Sequence, residues 1–338
     1  QVVDLWGGVA DVDDGKPWRE DTIGLVFSTT KGWTAMAANR LVERGELDLA
    51  APVADYWPAF AANGKDSITV EHLLSHQAGL EWVDQHRTLD QVLAWHPVID
   101  ALESQPPRYP AGTSHGYHAL TFGYLVGELI RRVDGRSVGA YVRDEMAEPL
   151  GLDLWIGLPE EQHDRVAKLI VIEGGMAAEF DPDSDNPLMK LLAPFLGPDG
   201  VLTKSLDANL GAFEDDELWN SPEIRSAEIP AGNGICDARS LARVYAACVG
   251  EVDGFRVLGP EQLDAAITQR TSGPNTVLLN LDVQFGLGFM VRTSILPIGG
   301  PRSFGHFGFG GSMGWADPDA ELAFGYLMNK PIIGMAGD

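Results

Sequence analysis

Apolar residues recur every three to four positions through the middle of the chain and every second position near its end. From Ser28 onward, Trp33, Met36, Ala37 and Leu41 keep a spacing near 3.6, which predicts a helix stopped by Gly45. SITVEHLLSHQAGL (67–80) predicts a short helix ending at Gly79. TFGYLVGELIRRVDG (121–135) is the clearest amphipathic helix, closed by Asp134-Gly135, and SVGAYVRDEMAEPLGL (137–152) follows it. SLARVYAACVG (240–250) restores the helical period after a stretch, 171–225, rich in Asp, Pro, Gly and Asn. That stretch reads as surface excursions or a flap beside a pocket, with EFDPDSDNP its loosest part.

The two ends have the other period. Residues 1–12 run into Gly-Gly and Asp-rich turn signals and suit a strand or hairpin arm. FGLGFMV, SFGHFGFGGSMGWADP and ELAFGYLMN predict three strands of an antiparallel meander, the last two joined through Ala316-Asp317-Pro318-Asp319. The expected fold is therefore α/β (α+β), an antiparallel sheet flanked by helices with an inserted, mostly helical domain. Residues 1–50 plus 240–338 form the α/β part, 51–239 the insert, and a site is expected at their junction.

With 338 residues and 45% hydrophobic composition the chain can bury a large core. Its net charge of −25 disfavours a nucleic-acid partner, because that binding needs clustered Lys and Arg against phosphates. No run of about 18 apolar residues predicts a membrane span. No signal-peptide pattern opens the chain, so cytoplasmic residence is the default expectation. The sequence sets no oligomeric state and is compatible with a dimer. Cys248 lies in a helical apolar pattern, which favours a buried free thiol over a bridge to Cys236.

Two serines compete as nucleophile. Ser28 stands three residues before Lys31, so a helix starting there puts both side chains on one face. A lysine amine depressed by burial could take the serine proton. The alternative is that Ser28 caps the helix and Lys31 reaches solvent. Gly310-Gly311-Ser312-Met313-Gly314 matches the nucleophile-elbow pattern. An elbow needs a following helix and a later histidine, whereas a turn and a strand follow here and no histidine occurs after His306. The match is accidental in a glycine-rich strand.

Tyr117 follows a Pro/Gly/Ser-rich loop just before the amphipathic helix, where it could face a cleft and shuttle protons, or simply pack on the surface. His115 and His118 beside it lack further ligands at metal spacing, and His72-Leu-Leu-Ser-His76 lacks the glutamate of the zinc-hydrolase helix. Neither a metal nor a cofactor is expected. Glycines at 305, 308, 310 and 311 weaken a strand unless something approaches its backbone closely. Alternation along that strand sets Phe307 on the side opposite His306.

In order and separation, these segments resemble the penicillin-recognising serine hydrolases. The likeness is to the class C β-lactamase-like branch, and within it to the family VIII carboxylesterases with an S-x-x-K motif. Ser28-Thr29-Thr30-Lys31 is similar to S-x-x-K, Tyr117-His118-Ala119 to Y-x-N, and His306-Phe307-Gly308 to K-T-G. LLSHQAGL (73–80) resembles the LLTHTSGL signature between the first two. The resemblance implies a β-lactamase/transpeptidase-like fold, Ser28 as acylated nucleophile, Lys31 as proton acceptor and Tyr117 as proton relay. It implies an oxyanion hole from the backbone N–H groups of Ser28 and Phe309. His306, Phe307 and Gly308 would line the substrate strand.

The departures bear on substrate. Ala119 replaces the asparagine that binds an amide side chain, and His306 replaces a charged lysine near the penicillin carboxylate. A small-molecule ester of short or medium acyl chain is the leading expectation, with Trp33, Trp82, Phe307 and Trp219 as aromatic walls of the cleft. Amide hydrolysis with D-amino-acid specificity, weak β-lactamase activity and a non-catalytic binding role are the alternatives. The family also brackets its sheet with a helix before the first strand and a long one at the C-terminus, and neither pattern is visible in QVVDLWGGVAD or NKPIIGMAGD.

Overall fold

The computed structural model describes residues 2–171, 195, 200–208 and 216–331. EFDPDSDNP lies outside them. Helix α1 (Thr30–Glu43) is buried along nearly its whole length, with Trp33, Met36 and Leu41 all fully inaccessible. Each such side chain contributes about 1.5–3 kcal/mol when removed from water. Helix α2 (Thr121–Asp134) packs against it, and its charged face carries Arg131 and Arg132 paired with Glu128. Both helices end where glycine punctuation predicts, at Gly45 and at the left-handed Gly135. The helix within 67–80 is shorter than its pattern, Val70–Leu74, because the chain turns at His76, whose φ is 60°.

The end of the chain is an antiparallel meander, but of five strands and not three. These are β6 (Gln284–Phe285), β7 (Met290–Val291), β8 (Phe304–Phe307), β9 (Met313–Asp317) and β10 (Leu322–Tyr326), in the spatial order β10-β9-β8-β7-β6. FGLGFMV is itself a hairpin, with Phe285 opposite Met290. SFGHFGFGGSMGWADP is two strands, with a tight turn at Phe309–Gly311 between them. No polar break marks either reversal, so the apolar runs read as single strands.

A smaller sheet joins distant parts of the chain. β3 (Gly24–Leu25) and β4 (Leu154–Trp155) both pair antiparallel with β5 (Ile235–Cys236). The opening residues form the separate hairpin β1 (Val9–Asp11) with β2 (Lys16–Pro17). Helix α3 (Ala238–Val249) lies across one face of β9 and β10. Cys236 and Cys248 are both buried free thiols, as the helical pattern around Cys248 predicts. No described helix is long and apolar enough to cross a membrane.

Where α1 faces α3, the side chain of Tyr245 fills the space beside Gly32. A Cβ on Gly32 would stand 2.1 Å from the hydroxyl of fully buried Tyr245. Gly32→Ala therefore forces the buried Tyr245 side chain, or α1 itself, to move. Urea unfolding should show a loss of about 1–3 kcal/mol, as for other overpacked interiors, despite alanine's better helix propensity.

Candidate active site

The turn before α1 is the most strained local feature of this region. Phe27 has φ 44°, a conformation that a bulky L-residue rarely adopts. Ser28 follows it inside a short 3-10 turn, Phe27–Thr29, that feeds directly into α1. The surroundings hold the turn from both sides. Thr30 donates its hydroxyl to the Phe27 carbonyl and accepts the Gly234 N–H at 2.8 Å, tying the turn to the chain just before β5. The Ser312 hydroxyl donates to the Val26 carbonyl at 2.7 Å and lies 3.2 Å from the Thr29 hydroxyl, tying the turn to β9. Strain concentrated in this way is common at functional sites, where surrounding contacts over-determine one conformation.

Lys31 emerges one turn later and points inward. Its Nζ lies 2.9 Å from the Ser28 hydroxyl and donates to the Ala231 carbonyl at 2.8 Å. Its side chain is wholly removed from solvent. Burial alone lowers its pKa well below the usual lysine value, which favours the neutral amine. The alternative with a capping serine and a solvated lysine fails on both counts, since Ser28 makes no capping bond and Lys31 has no exposure.

Tyr117 closes the other side. Its ring centroid is 4.9 Å from Lys31 Nζ. Burial raises its pKa, with a hydrogen bond to Ser28 pulling the other way. His306 on β8 stacks against the Tyr117 ring at 5.9 Å. Its Nδ1–H donates to the Phe307 carbonyl at 2.7 Å, which leaves Nε2 as an unpartnered buried acceptor. Burial, then the nearby Lys31, pull the His306 pKa down to about 3, so the ring is neutral near pH 7.

The loop carrying Tyr117 is organised by LLSHQAGL. His76 accepts the His118 N–H at Nδ1 over 3.1 Å. The His118 ring accepts the Leu80 N–H and donates to the Gly116 carbonyl. Burial lowers the pKa of both imidazoles. His72 instead serves a capping box with Thr69. The described residues contain no group of His, Cys, Asp and Glu able to hold a metal ion.

An apolar cleft opens at Ser28, walled by Phe27, Ala119, Leu120, Leu206, Trp219 and Phe309. Phe27 meets Trp219 and Phe309 edge-on, with ring centroids at 5.2 and 5.5 Å. Phe309 lies in the turn after β8, so the alternation of the strand does not govern it. Gly308 is required there, because a Cβ would come within 2.1 Å of the Val26 carbonyl oxygen. Phe307 is half-buried and packs in the cluster around Tyr117. Trp33 belongs to the core, and the Trp82 ring lies under the Arg108 guanidinium at 3.7 Å, so neither walls this cleft. A larger cavity, beside Trp6, Trp18 and Tyr326, contains none of these residues.

The Beta-lactamase family pattern matches residues 1–334. The chain belongs to that family of serine hydrolases. Within it, Esterase/beta-lactamase LipL of Mycobacterium tuberculosis is 38% identical over 337 residues, which are 97% of this chain and 74% of LipL. The crystal structure of a family VIII carboxylesterase superposes with a TM-score of 0.86 at 33% identity, covering 100% of this chain and 85% of that one. A penicillin-binding protein homologue from Caulobacter crescentus gives 0.82 at 36% identity, over 98% and 84%. This beta-lactamase-family chain is a hydrolase.

Sequence reasoning on this family member missed the polar residues that hold the site, namely Thr30, His76, Ser205, Asn275 and Ser312. Ser312 stood out only for a pattern it does not serve, since its buried hydroxyl is committed to Val26 and Thr29. Ser312→Ala should leave a covalent serine label on Ser28 intact. Thermal or urea unfolding should show a loss of about 1 kcal/mol, with more if the Val26 carbonyl stays dry.

Proposed function

We propose that the protein is a serine carboxylesterase that hydrolyses short- or medium-chain acyl esters through an acyl-enzyme on Ser28. The observation that carries this reading is the Ser28 hydroxyl 2.9 Å from a fully buried lysine amine, at the mouth of an apolar cleft. Neutral Lys31 takes the Ser28 proton as Oγ attacks the ester carbonyl. The carbonyl oxygen, now negative, is received by the backbone N–H groups of Ser28 and Phe309, worth about 3–4 kcal/mol each in comparable sites. When the C–O bond breaks, Tyr117 gives its proton to the departing alkoxide and recovers one from Lys31. Water then repeats the sequence on the acyl-enzyme, and the acid leaves as Ser28 regains its proton.

The family resemblance and relatives with esterase names support an ester substrate. So does the lining. The described walls of the cleft carry no carboxylate for a substrate amine and no cation for a penicillin carboxylate. Ala119 leaves apolar surface where an asparagine would bind an amide. His306, neutral and buried, offers no charge. His306, Phe307 and Gly308 then act as substrate-side residues through the shape of their strand and turn.

A fluorophosphonate should label one serine, Ser28, with the label lost in Ser28→Ala and kept in Ser312→Ala by peptide mass spectrometry. Lys31→Met should slow labelling by about 10²–10⁴-fold, the usual range for a lost proton acceptor. Label on Ser312, or labelling indifferent to Lys31, overturns the reading. A panel of butyrate ester, the matching anilide and a chromogenic cephalosporin should rank the ester first by kcat/KM.

The lowered Lys31 pKa sets the pH dependence. Activity should rise with pH as Lys31 loses its proton, along a limb well below the ordinary lysine value of about 10.4. His306→Gln should leave the position of that limb unchanged, because His306 is already neutral above about 3. A limb at the ordinary lysine value, or one that moves with His306, contradicts the assignment.

A further inference from the structure

Residues 115–118, which carry Tyr117, form neither helix nor strand. Much of their main chain is held by side chains from far along the sequence. Asn275 Oδ1 accepts the Tyr117 N–H at 3.2 Å and also the N–H groups of Val277 and Leu278. His76 accepts the His118 N–H. Ser205 takes the next two groups by itself. Its hydroxyl donates to the Tyr117 carbonyl at 2.6 Å and accepts the Ala119 N–H at 3.1 Å. The Glu81 carbonyl lies farther from the same oxygen, at 3.2 Å. A serine hydroxyl has one proton, and the shorter contact claims it.

Ser205 is buried, with 3% exposure, and comes from the helical turns Val201–Thr203 and Lys204–Ala208. Its neighbour Leu206 is one of the walls of the acyl cleft. Leu202 and Leu206 also pack on the cluster that contains Tyr117 and Ala119. One short segment thus touches both the place where an acyl group would lie and the peptide planes that aim the Tyr117 ring.

We propose that Ser205 is a positioning residue for Tyr117. By gripping the carbonyl of Tyr117 and the N–H of Ala119 it holds His118 between two fixed peptide groups, and so fixes the direction in which the phenol projects toward Lys31 and Ser28. Asn275 holds the N-terminal side of the same residue. The proposal rests on the reading of Tyr117 as proton donor to the leaving group, and it makes the wall of the acyl cleft part of the apparatus that aims that donor.

Leaving-group dependence separates this role from a merely structural one. An alkyl ester releases a strongly basic alkoxide that needs Tyr117's proton as the C–O bond breaks, whereas a p-nitrophenolate leaves without one. The experiment compares Ser205→Ala, Ser205→Thr and Tyr117→Phe with the parent enzyme, normalised to fluorophosphonate-titrated sites, on ethyl and p-nitrophenyl butyrate. Ser205→Ala should lose about ten- to a hundredfold in kcat/KM, which reports acylation alone, on the ethyl ester, the scale of a misplaced catalytic group. Its loss in kcat/KM on the p-nitrophenyl ester should be at most about a few fold, since deacylation of the butyryl-enzyme common to both esters does not enter that constant. Ser205→Thr, which keeps the hydroxyl, should restore most of the alkyl-ester rate.

Equal losses on both esters, or no loss on either, overturn the role of Ser205 while Tyr117→Phe still discriminates between them. If Tyr117→Phe treats both esters alike, the proton-donor reading fails first and the proposal falls with it. Should Ser205→Ala not fold, Ser205→Cys, isosteric but a weak hydrogen-bonding group, carries the same comparison, and the same outcomes decide it.

Discussion

A lysine amine sealed from water beside a serine hydroxyl sets the terms for everything around it. Taking an ammonium out of water is costly unless an anion accompanies it. Here the amine's hydrogen-bond partners are a hydroxyl and a backbone carbonyl, both uncharged. The neighbouring imidazoles follow the same constraint. His306, His76 and His118 are held neutral by burial, and each has its tautomer fixed by a bond to backbone. A carboxylate placed among them would raise the Lys31 pKa and keep the amine protonated, unable to take a proton from Ser28. The chain has 49 acidic residues, and the Ser28 cleft has none on its described walls.

The strained turn that presents Ser28 depends on pieces far apart in the chain. Thr30 holds it to the segment leading into β5, and Ser312 holds it to β9. Gly308 permits the turn after β8 to lie against the Val26 carbonyl. The glycine-rich end of the meander is therefore a consequence of close approach, since side chains there would push the Phe309 turn away from Ser28. In the proposed reading, stability and function draw on the same contacts. A change that relaxes Phe27 from φ 44° would ease local strain and also misdirect the hydroxyl.

The cleft's chemistry comes as much from what is missing as from what is present. Its walls are carbon, with two edge-on aromatic contacts that keep Phe27, Trp219 and Phe309 in fixed orientations. A smooth apolar wall discriminates weakly between acyl groups that differ by one methylene, whereas a placed polar group rejects a mismatched partner strongly. In the proposed reading this leaves the choice between ester and amide to proton delivery at the leaving group, and hence to how firmly Tyr117 is held.

The sequence by itself determined the three longest described helices and the closeness of Ser28 to Lys31. α1 and α2 follow their apolar spacing to within a residue or two, and the antiparallel ending follows its period-two pattern. Ser28 and Lys31 are legible because a helical rise of one turn brings positions three apart together, whatever the rest of the chain does. The five-strand count was not legible, since the reversal inside FGLGFMV carries no polar signal. Nor were Ser205, Asn275 and Thr30, each a single polar residue whose partner lies 88, 158 or 204 positions away. Periodicity records which face of an element is buried. Which buried donor meets which acceptor is decided only when those faces pack, and the aim of Tyr117 and the lowered basicity of Lys31 depend on that packing.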